Sequence, residues 1–196
     1  MSGAPGRPLS AELSQQLVDV AVDILAEDGW GKLNSDRVAA RARAGKAGIY
    51  RRWPSMAALA RHAVGGFTLV PVPADTGTLR GDLLDLVACW TRPLCREERA
   101  AASLVGAARH DELLREGLDQ ALVRPLAVAV GVLGARAAER GHPVDDERLA
   151  LFGSVLEAFW WQRFTGDGVR TEQQLERVVD DVLLPVLAPV AEVAVV

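Results

Sequence analysis

Residues 43–55, RAGKAGIYRRWPS, combine basic, small and aromatic side chains in a pattern that suits contact with a polyanion. Lys46 begins a short predicted helix that ends near residue 53, because the residue before Pro54 disfavours the helical conformation. At about 100° per residue, Ile49 and Trp53 lie on one side and form its buried stripe. Lys46 lies at the positive N-terminal end of the helix dipole, where it adds to the positive charge of this stretch.

The opposite face of this helix carries little bulk. The spacing places Ala47, Gly48 and Arg51 outward, so the backbone can approach base edges in a DNA groove. Tyr50 and Arg52 flank that face, where side chains can reach phosphates on the two groove walls. The pattern therefore predicts a recognition helix that enters the major groove.

A second short helix precedes this one and completes a helix-turn-helix. Ser35 can cap its N-terminus, and its apolar side chains share one face because they lie three and four residues apart, at Val38, Ala39 and Ala42. Residues 43–45 form the turn, in which Gly45 is predicted to take the conformation that other residues resist.

This stretch resembles the DNA-binding head of the TetR family of bacterial transcriptional repressors. The residues that match the family pattern without gaps are Val38, Ala39, Ala42, Ala44, Ala47, Ile49, Tyr50, Trp53, Ser55 and Leu59. Residues 21–39 resemble the family's first helix, glycine turn and entry to the second helix, and the resemblance covers about residues 10–66. The candidate DNA-binding residues are Ser35, Arg43, Lys46, Ala47, Gly48, Tyr50, Arg51, Arg52 and Ser55.

Four residues depart from the family pattern. Arg43 stands where the family usually has the turn glycine, and Gly45 replaces the usual capping serine. Gly48 replaces a hydroxyl side chain, and Met56 replaces a lysine that commonly anchors a phosphate. These departures predict weaker DNA binding, or more reliance on arginines. They also leave open an alternative, a helical small-molecule-binding and dimerisation module with a degenerate DNA head.

Charge is divided unevenly along the chain. Residues 1–66 carry 9 basic and 6 acidic side chains, and residues 67–196 carry 13 and 20, so a head of net +3 precedes a body of net −7. Within residues 31–66 there are 8 basic side chains and one acidic side chain. A basic patch on an otherwise acidic protein concentrates nucleic-acid binding at one end.

The whole chain is predicted to be all-α. A first helix, which Ser10 can cap, ends near Gly29, and the fourth helix ends near residue 67. The proline- and glycine-containing segment 68–78 separates a helix-turn-helix domain (1–66) from a helical ligand-binding and dimerisation domain (67–196). The helices of the second domain are expected near 79–94, 96–109, 111–140 (bent or broken at Pro125), 145–165 and 171–188.

The last two helices each carry a wide apolar stripe. A monomer core explains such stripes, but the family resemblance implies that both helices join a four-helix bundle between two copies. We therefore expect a homodimer whose interface includes Leu156, Trp160, Val178, Val179, Val182, Leu183 and Val186. A dimer suits a palindromic site in double-stranded DNA.

The resemblance also implies a small-molecule effector that releases a repressor from DNA. Candidate lining residues combine apolar walls with polar groups, at Trp90, Arg109, His110, Phe159, Trp160, Trp161 and Phe164. Each of them also has a structural explanation as a core or surface side chain. Five tryptophans against one tyrosine favour an apolar or aromatic effector.

Enzyme and metal sites find little support in the sequence. The three histidines have no metal-ligand spacing, and no phosphate loop or nucleophile elbow is present. Cys89 and Cys95 fit thiols in a reducing cytoplasm better than a disulfide or a metal site. No apolar run approaches the roughly 20 residues that span a bilayer. We expect no cofactor, no metal, no membrane contact and a cytoplasmic location.

Overall fold

The computed structural model describes residues 11–166 and 169–187, and within them every regular element is helical. The head consists of α1 (Ala11–Asp28), α2 (Ser35–Ala42), α3 (Lys46–Tyr50) and α4 (Met56–Gly65). The body comprises α5 (Leu79–Val87), α6 (Arg96–Ala102), α7 (Glu112–Leu118), α8 (Arg124–Glu139), α9 (Asp146–Thr165), α10 (Glu172–Val178) and α11 (Leu184–Leu187). The all-α prediction is confirmed. The predicted cap at Ser10 lies outside the described residues.

The head is built around the buried face of α1. Leu17, Ala21 and Ile24 on that helix are fully buried, and Ile49 from α3 joins the same core. The chain leaves α1 at Gly29, whose φ of 81° is a left-handed conformation that favours glycine. The predicted end of the first helix is therefore confirmed.

The predicted bend of the helix at 111–140 is a π-helical turn over Asp119–Val123, between α7 and α8. Pro125 has no N–H to donate to the carbonyl of Ala121, four residues earlier. Leu69, from the segment that joins head and body, donates its N–H to that carbonyl at 2.9 Å. A second π turn, Val179–Leu183, joins α10 to α11 just before Pro185. Each proline thus lies beside an irregular turn and leaves the helix continuous.

Together α7, its π turn and α8 form a run of 28 residues, Glu112–Glu139, that is long and apolar enough to cross a membrane by length and composition alone. The sequence-based expectation of no apolar run near 20 residues did not include this stretch. The buried side chains of the run, such as Leu122, Leu126 and Leu133, pack in the core of the domain. A core helix passes the same test of length and composition, so the run is explained by packing.

The head packs closely on the body. The main contacts join α4 to α7 and α1 to α6. A Cβ placed on Gly117 of α7 would come within 3.1 Å of the Arg61 Cα on α4, so a glycine lets the two backbones approach. Arg96 of α6 donates to Asp23 of α1 at 2.6 Å. One hydrophobic core therefore runs from the head into the body.

Candidate nucleic-acid interface and ligand clefts

The helix-turn-helix begins at Asn34. Its side chain accepts a hydrogen bond from the Arg37 N–H at 2.9 Å, and its backbone is extended, as an N-cap requires. Ser35 is the first residue of α2, so the expectation that Ser35 caps this helix is wrong. Asparagine is as good a cap as serine, and the sequence pattern did not separate the two neighbours.

Arg43 closes α2 in the left-handed conformation, with φ 50° and ψ 40°. The Arg43 N–H donates to the Ala40 carbonyl and the Ala44 N–H to the Ala39 carbonyl, which is a Schellman motif. Gly45 has extended φ and ψ and caps α3, so its predicted left-handed role is wrong. The turn therefore keeps the geometry of a glycine turn with an arginine in the strained position.

On α3 the side chains of Lys46, Ala47 and Tyr50 are exposed, as is Arg51 just beyond the helix. Tyr50 is half exposed, at 50%. The helix ends at Tyr50 and a turn follows, so the helix is shorter than predicted. These four residues form an outward surface at the edge of the head.

Gly48 is buried, contrary to its predicted place on the outward face. The Arg52 side chain folds back along α3, with its guanidinium donating to the Gly48 carbonyl at 2.8 Å and to Ser14 Oγ of α1 at 2.7 Å. The carbonyl at the end of so short a helix has no backbone partner, so it attracts this guanidinium. Arg52 therefore holds α3 on α1 in this structure, and its contact with a DNA phosphate stays a prediction.

Ser55 also has a structural role, because its hydroxyl accepts the Ala58 N–H at 3.1 Å and caps α4. Other basic side chains of the head form ion pairs: Arg37 with Asp28 at 2.5 Å, Arg41 with Glu27 at 2.8 Å, and Lys46 with Asp36. The hydrogen bond that Arg41 donates to the Glu27 carboxylate raises the pKa of Arg41. Within the described residues, no ion pair or hydrogen bond engages the side chains of Arg43 or Arg51. Their charges are therefore available to a phosphate or a base.

In the body, four of the predicted ligand residues form one aromatic cluster. The Trp90 ring lies 5.6 Å from Phe159 and 5.9 Å from Trp160, and Trp160 lies 6.3 Å from Phe164. Trp90 and Trp160 are fully buried, and neither indole N–H has a hydrogen-bond partner among the residues that the structure describes. Arg170, which sequence reasoning missed, covers the cluster with its guanidinium 5.3 Å from the Trp90 ring.

The other predicted ligand residues lie in different places. Arg109 and Trp161 line an open cleft of about 650 Å³ beside α7, while exposed His110 lies outside this cleft. Trp161 also packs on Phe164 at 6.1 Å, so its ring lies between the cleft and the aromatic cluster. The predicted set is therefore a packed core joined to one side of a cleft.

The predicted dimer surface needs correction. Leu156, Trp160, Val179 and Leu183 are fully buried within one chain, so they cannot meet a partner while the chain is folded in this way. Their stripes face each other and the rest of the body core. Val178 of α10, Val182 of the second π turn and Val186 of α11 lie on the neighbouring face and remain partly exposed. Exposed Leu151 lies on the outer face of α9.

A buried ion pair joins α6 to α9, and no local sequence pattern predicts it. Glu98 accepts hydrogen bonds from the Arg163 guanidinium at 3.1–3.2 Å, and each residue is 2% exposed. Burial acts to raise the Glu98 pKa, but the Cys95 N–H, Arg92 and Arg163 outweigh it and hold that pKa below its ordinary value. The pair therefore remains charged at neutral pH.

Cys89 and Cys95 are both free thiols and only partly buried. Burial raises the pKa of Cys89 to about 11, so the thiol stays protonated at neutral pH. No group of His, Cys, Asp and Glu side chains with metal-binding geometry occurs within residues 11–166 and 169–187.

Comparisons with known proteins agree with this architecture. A family model described as bacterial regulatory proteins, tetR family, matches residues 17–63, and a tetracyclin repressor-like C-terminal domain model matches residues 73–182. The chain belongs to the TetR family. A DNA-binding transcriptional repressor TetR of Mycobacteroides abscessus is 33% identical over 179 residues, which cover 90% of this chain and 94% of that protein. An uncharacterized HTH-type transcriptional regulator of Mycobacterium tuberculosis is 33% identical over 181 residues, 88% of this chain and 86% of that protein.

Solved structures of TetR-family regulators share the fold. A flavonoid-responsive regulator has a TM-score of 0.66 at 19% identity, covering 93% of this chain and all of its own. A regulator from Mesorhizobium loti has a TM-score of 0.63 at 17% identity, with 90% and 96% covered. The protein is therefore a helix-turn-helix transcriptional regulator of a family that consists of regulators rather than enzymes. The division of the chain at residue 66 stays a prediction.

Proposed function

We propose that this TetR-family regulator is a homodimeric repressor that binds a palindromic operator and leaves it when a small molecule binds the body. The observation that carries the proposal is the outward surface of Lys46, Ala47, Tyr50 and Arg51, on the basic head of an otherwise acidic chain. Regulators of this family bind DNA, dimerise and bind small-molecule effectors. Such a protein acts in the cytoplasm, where bacterial DNA lies.

Within the DNA surface, we assign different roles to neighbouring residues. Arg51 reads base edges, while Tyr50, Lys46 and Arg43 bind phosphates. Arg52 serves indirectly, because its bonds to Ser14 and Gly48 orient α3. Ser35 and Ser55 keep only supporting roles at the starts of α2 and α4.

Selection from a pool of random-sequence duplexes, followed by fluorescence anisotropy, tests these roles. We expect an enriched inverted repeat. Arg51→Ala should cost about 1–3 kcal/mol at particular base positions, or roughly 5-fold to 150-fold in affinity. Tyr50→Phe should weaken every sequence about equally. If Arg51→Ala lowers affinity equally for all single-base variants of the operator, the two roles are wrongly assigned.

The alternative, a binding module with a degenerate head, rested on the departures at Arg43 and Met56. The intact Schellman turn at Arg43 supports a working head instead, because it joins α2 to α3 with the geometry that a glycine turn would give. Recovery of no enriched sequence in the selection, from a protein that is folded and dimeric, would favour the alternative.

We propose that the dimer forms through the outer faces of α9, α10 and α11. Val178, Val182 and Val186 are apolar residues of this last helical stretch that remain partly accessible, as does Leu184. A symmetric pair meets through the same patch on each copy, so one changed residue acts twice. The buried Leu183 and Val179 hold these helices on the body and support the patch from within.

Val182→Glu should dissociate the dimer and abolish operator binding, because it places two like charges in an apolar contact. Val128→Glu is the matched control, since Val128 is 56% exposed on α8, outside this patch. Sedimentation reports the mass and anisotropy reports DNA binding. A dimer that persists in Val182→Glu would place the interface elsewhere.

For the effector we propose an apolar or aromatic small molecule. The cleft lined by Trp161 supplies an apolar wall in the body, and the buried aromatic cluster around Trp90 and Trp160 supports that wall through Phe164. Screening for compounds that lower operator binding by wild-type protein tests this. Release by polar metabolites alone would contradict the proposed class.

A further inference from the structure

The 650 Å³ cleft beside α7 has an apolar floor and one aromatic wall. Ala108 and Leu118 form part of the floor and are almost completely buried. The Trp161 indole forms the wall, and its Nε1 donates to Glu157 Oε1 at 2.9 Å, which fixes the ring. Phe164 packs against the same indole. A rigid, flat surface of this kind suits a planar apolar group.

Four charged side chains line the same cleft, and they differ in whether they have a hydrogen-bond or ion-pair partner. Asp119 accepts a hydrogen bond from Arg124 at 2.7 Å, and Glu157 accepts the Trp161 N–H. Arg115 lies 3.7 Å from Glu112 in a loose surface pair. The side chain of Arg109 has no ion pair or hydrogen bond within the described residues. Both carboxylates thus have donors, whereas one guanidinium has no acceptor.

We infer that this cleft binds a small organic anion, a planar apolar body that carries a carboxylate or a similar oxyanion. The apolar body packs between Trp161 and the floor, and the anionic group pairs with the guanidinium of Arg109. A guanidinium matches such an oxyanion through two parallel hydrogen bonds. This inference rests on the proposed function, because it names the chemical class of the effector.

In other clefts of the body, the arginine guanidiniums already have side-chain partners. A cleft of about 550 Å³ near Leu79 contains Arg140, whose guanidinium is bound to Asp75 at 2.6 Å and to Asp82 at 2.9 Å. A cleft of about 500 Å³ contains Arg170, which covers the Trp90 ring and donates to Gln162. The cleft beside α7 combines an aromatic wall with an unpaired guanidinium.

Its position also connects the cleft to the head. Leu118 lines the cleft, while its neighbour Gly117 lies against the Arg61 backbone of α4. Asp119 and Val123 line the cleft at the two ends of the π turn whose Ala121 carbonyl binds the Leu69 N–H. A ligand that moves α7 or this turn therefore moves atoms in direct contact with the DNA-binding head.

Two fluorescent dyes of one ring system test the inference on the full-length protein. Anilinonaphthalene sulfonate carries an anionic group, and N-phenylnaphthylamine has the same rings without it. We expect saturable binding of the sulfonate at one site per chain, about tenfold tighter than binding of the neutral dye. Arg109→Gln should weaken the sulfonate about tenfold, the range of one charged hydrogen-bonded contact at a partly solvated site, and leave the neutral dye unchanged. Trp161→Leu should weaken both dyes.

Arg177→Gln is the matched control, because Arg177 is an arginine of the 500 Å³ cleft whose partner Asp181 is 3.6 Å away. It should leave both dyes unchanged. Equal binding of the two dyes, or a loss in Arg177→Gln in place of Arg109→Gln, would overturn the assignment. Operator binding is measured separately without dye. A protein that binds DNA but not the sulfonate refutes this inference alone, whereas one that binds the sulfonate but selects no DNA refutes the proposed function.

Discussion

Glu98→Gln is expected to destabilise the fold strongly while changing the shape of the side chain very little. The carboxylate accepts hydrogen bonds from Arg163, from Arg92 Nη1 at 2.7 Å and from the Cys95 N–H at 2.8 Å. An amide keeps one acceptor but turns an N–H donor toward the guanidiniums. Arg163, 2% exposed, is then a buried charge without a counter-ion.

Removing one member of a buried ion pair costs about 3–5 kcal/mol. For a chain of this length each kcal/mol corresponds to about 2–4 °C, so the melting temperature should fall by about 10 °C. Urea unfolding and calorimetry at one fixed protein concentration measure both quantities, since a dimer's stability depends on concentration. Glu97→Gln is the control, because Glu97 is 40% exposed and lies 3.5 Å from Arg96 in a surface pair.

The effect should also depend on pH. The folded-state pKa of Glu98 lies below its ordinary value of 4.5, so the charged pair contributes stability above pH 4.5 and loses it as the pH falls through the folded pKa. The difference between wild type and Glu98→Gln should therefore shrink in acid. Glu98→Met combined with Arg163→Met should recover much of the loss, because it removes both charges. A Glu98→Gln protein as stable as Glu97→Gln would refute the reasoning.

Three further outcomes are expected. Asp36→Asn should raise operator affinity up to about fivefold at low salt and little at high salt, because it frees Lys46 from an exposed pair; titrations at two salt concentrations measure this. Met56→Lys should make operator affinity more sensitive to salt, with the slope of log K against log salt concentration steeper by about one unit per added phosphate contact. An unchanged slope would place this residue away from the DNA backbone. Cys89 should react slowly with iodoacetamide at pH 7, since its pKa is about 11, and rapid alkylation of the folded protein would contradict its burial.

The family, the all-α class and the order of the helices follow from the amino-acid sequence alone. Periodicity identified the apolar stripes, Gly29 marked the end of α1, and the spacing around Tyr50 fixed the helix-turn-helix. These are local properties, since they depend on residues within a few turns of one another. The exposed positions of Lys46, Tyr50 and Arg51 followed from the same spacing.

The neighbours that each apolar stripe meets depend on how the helices pack in three dimensions. Periodicity shows that Trp160 and Leu183 are apolar-face residues, but it cannot say whether the core of one chain or a second copy covers them. In the same way, local spacing placed Arg52 beside the outward face of α3 but could not predict its hydrogen bond to Ser14, 38 residues away. Glu98 and Arg163 are 65 residues apart and meet only because α6 packs on α9. Long side chains choose partners by proximity in space, which local spacing does not encode.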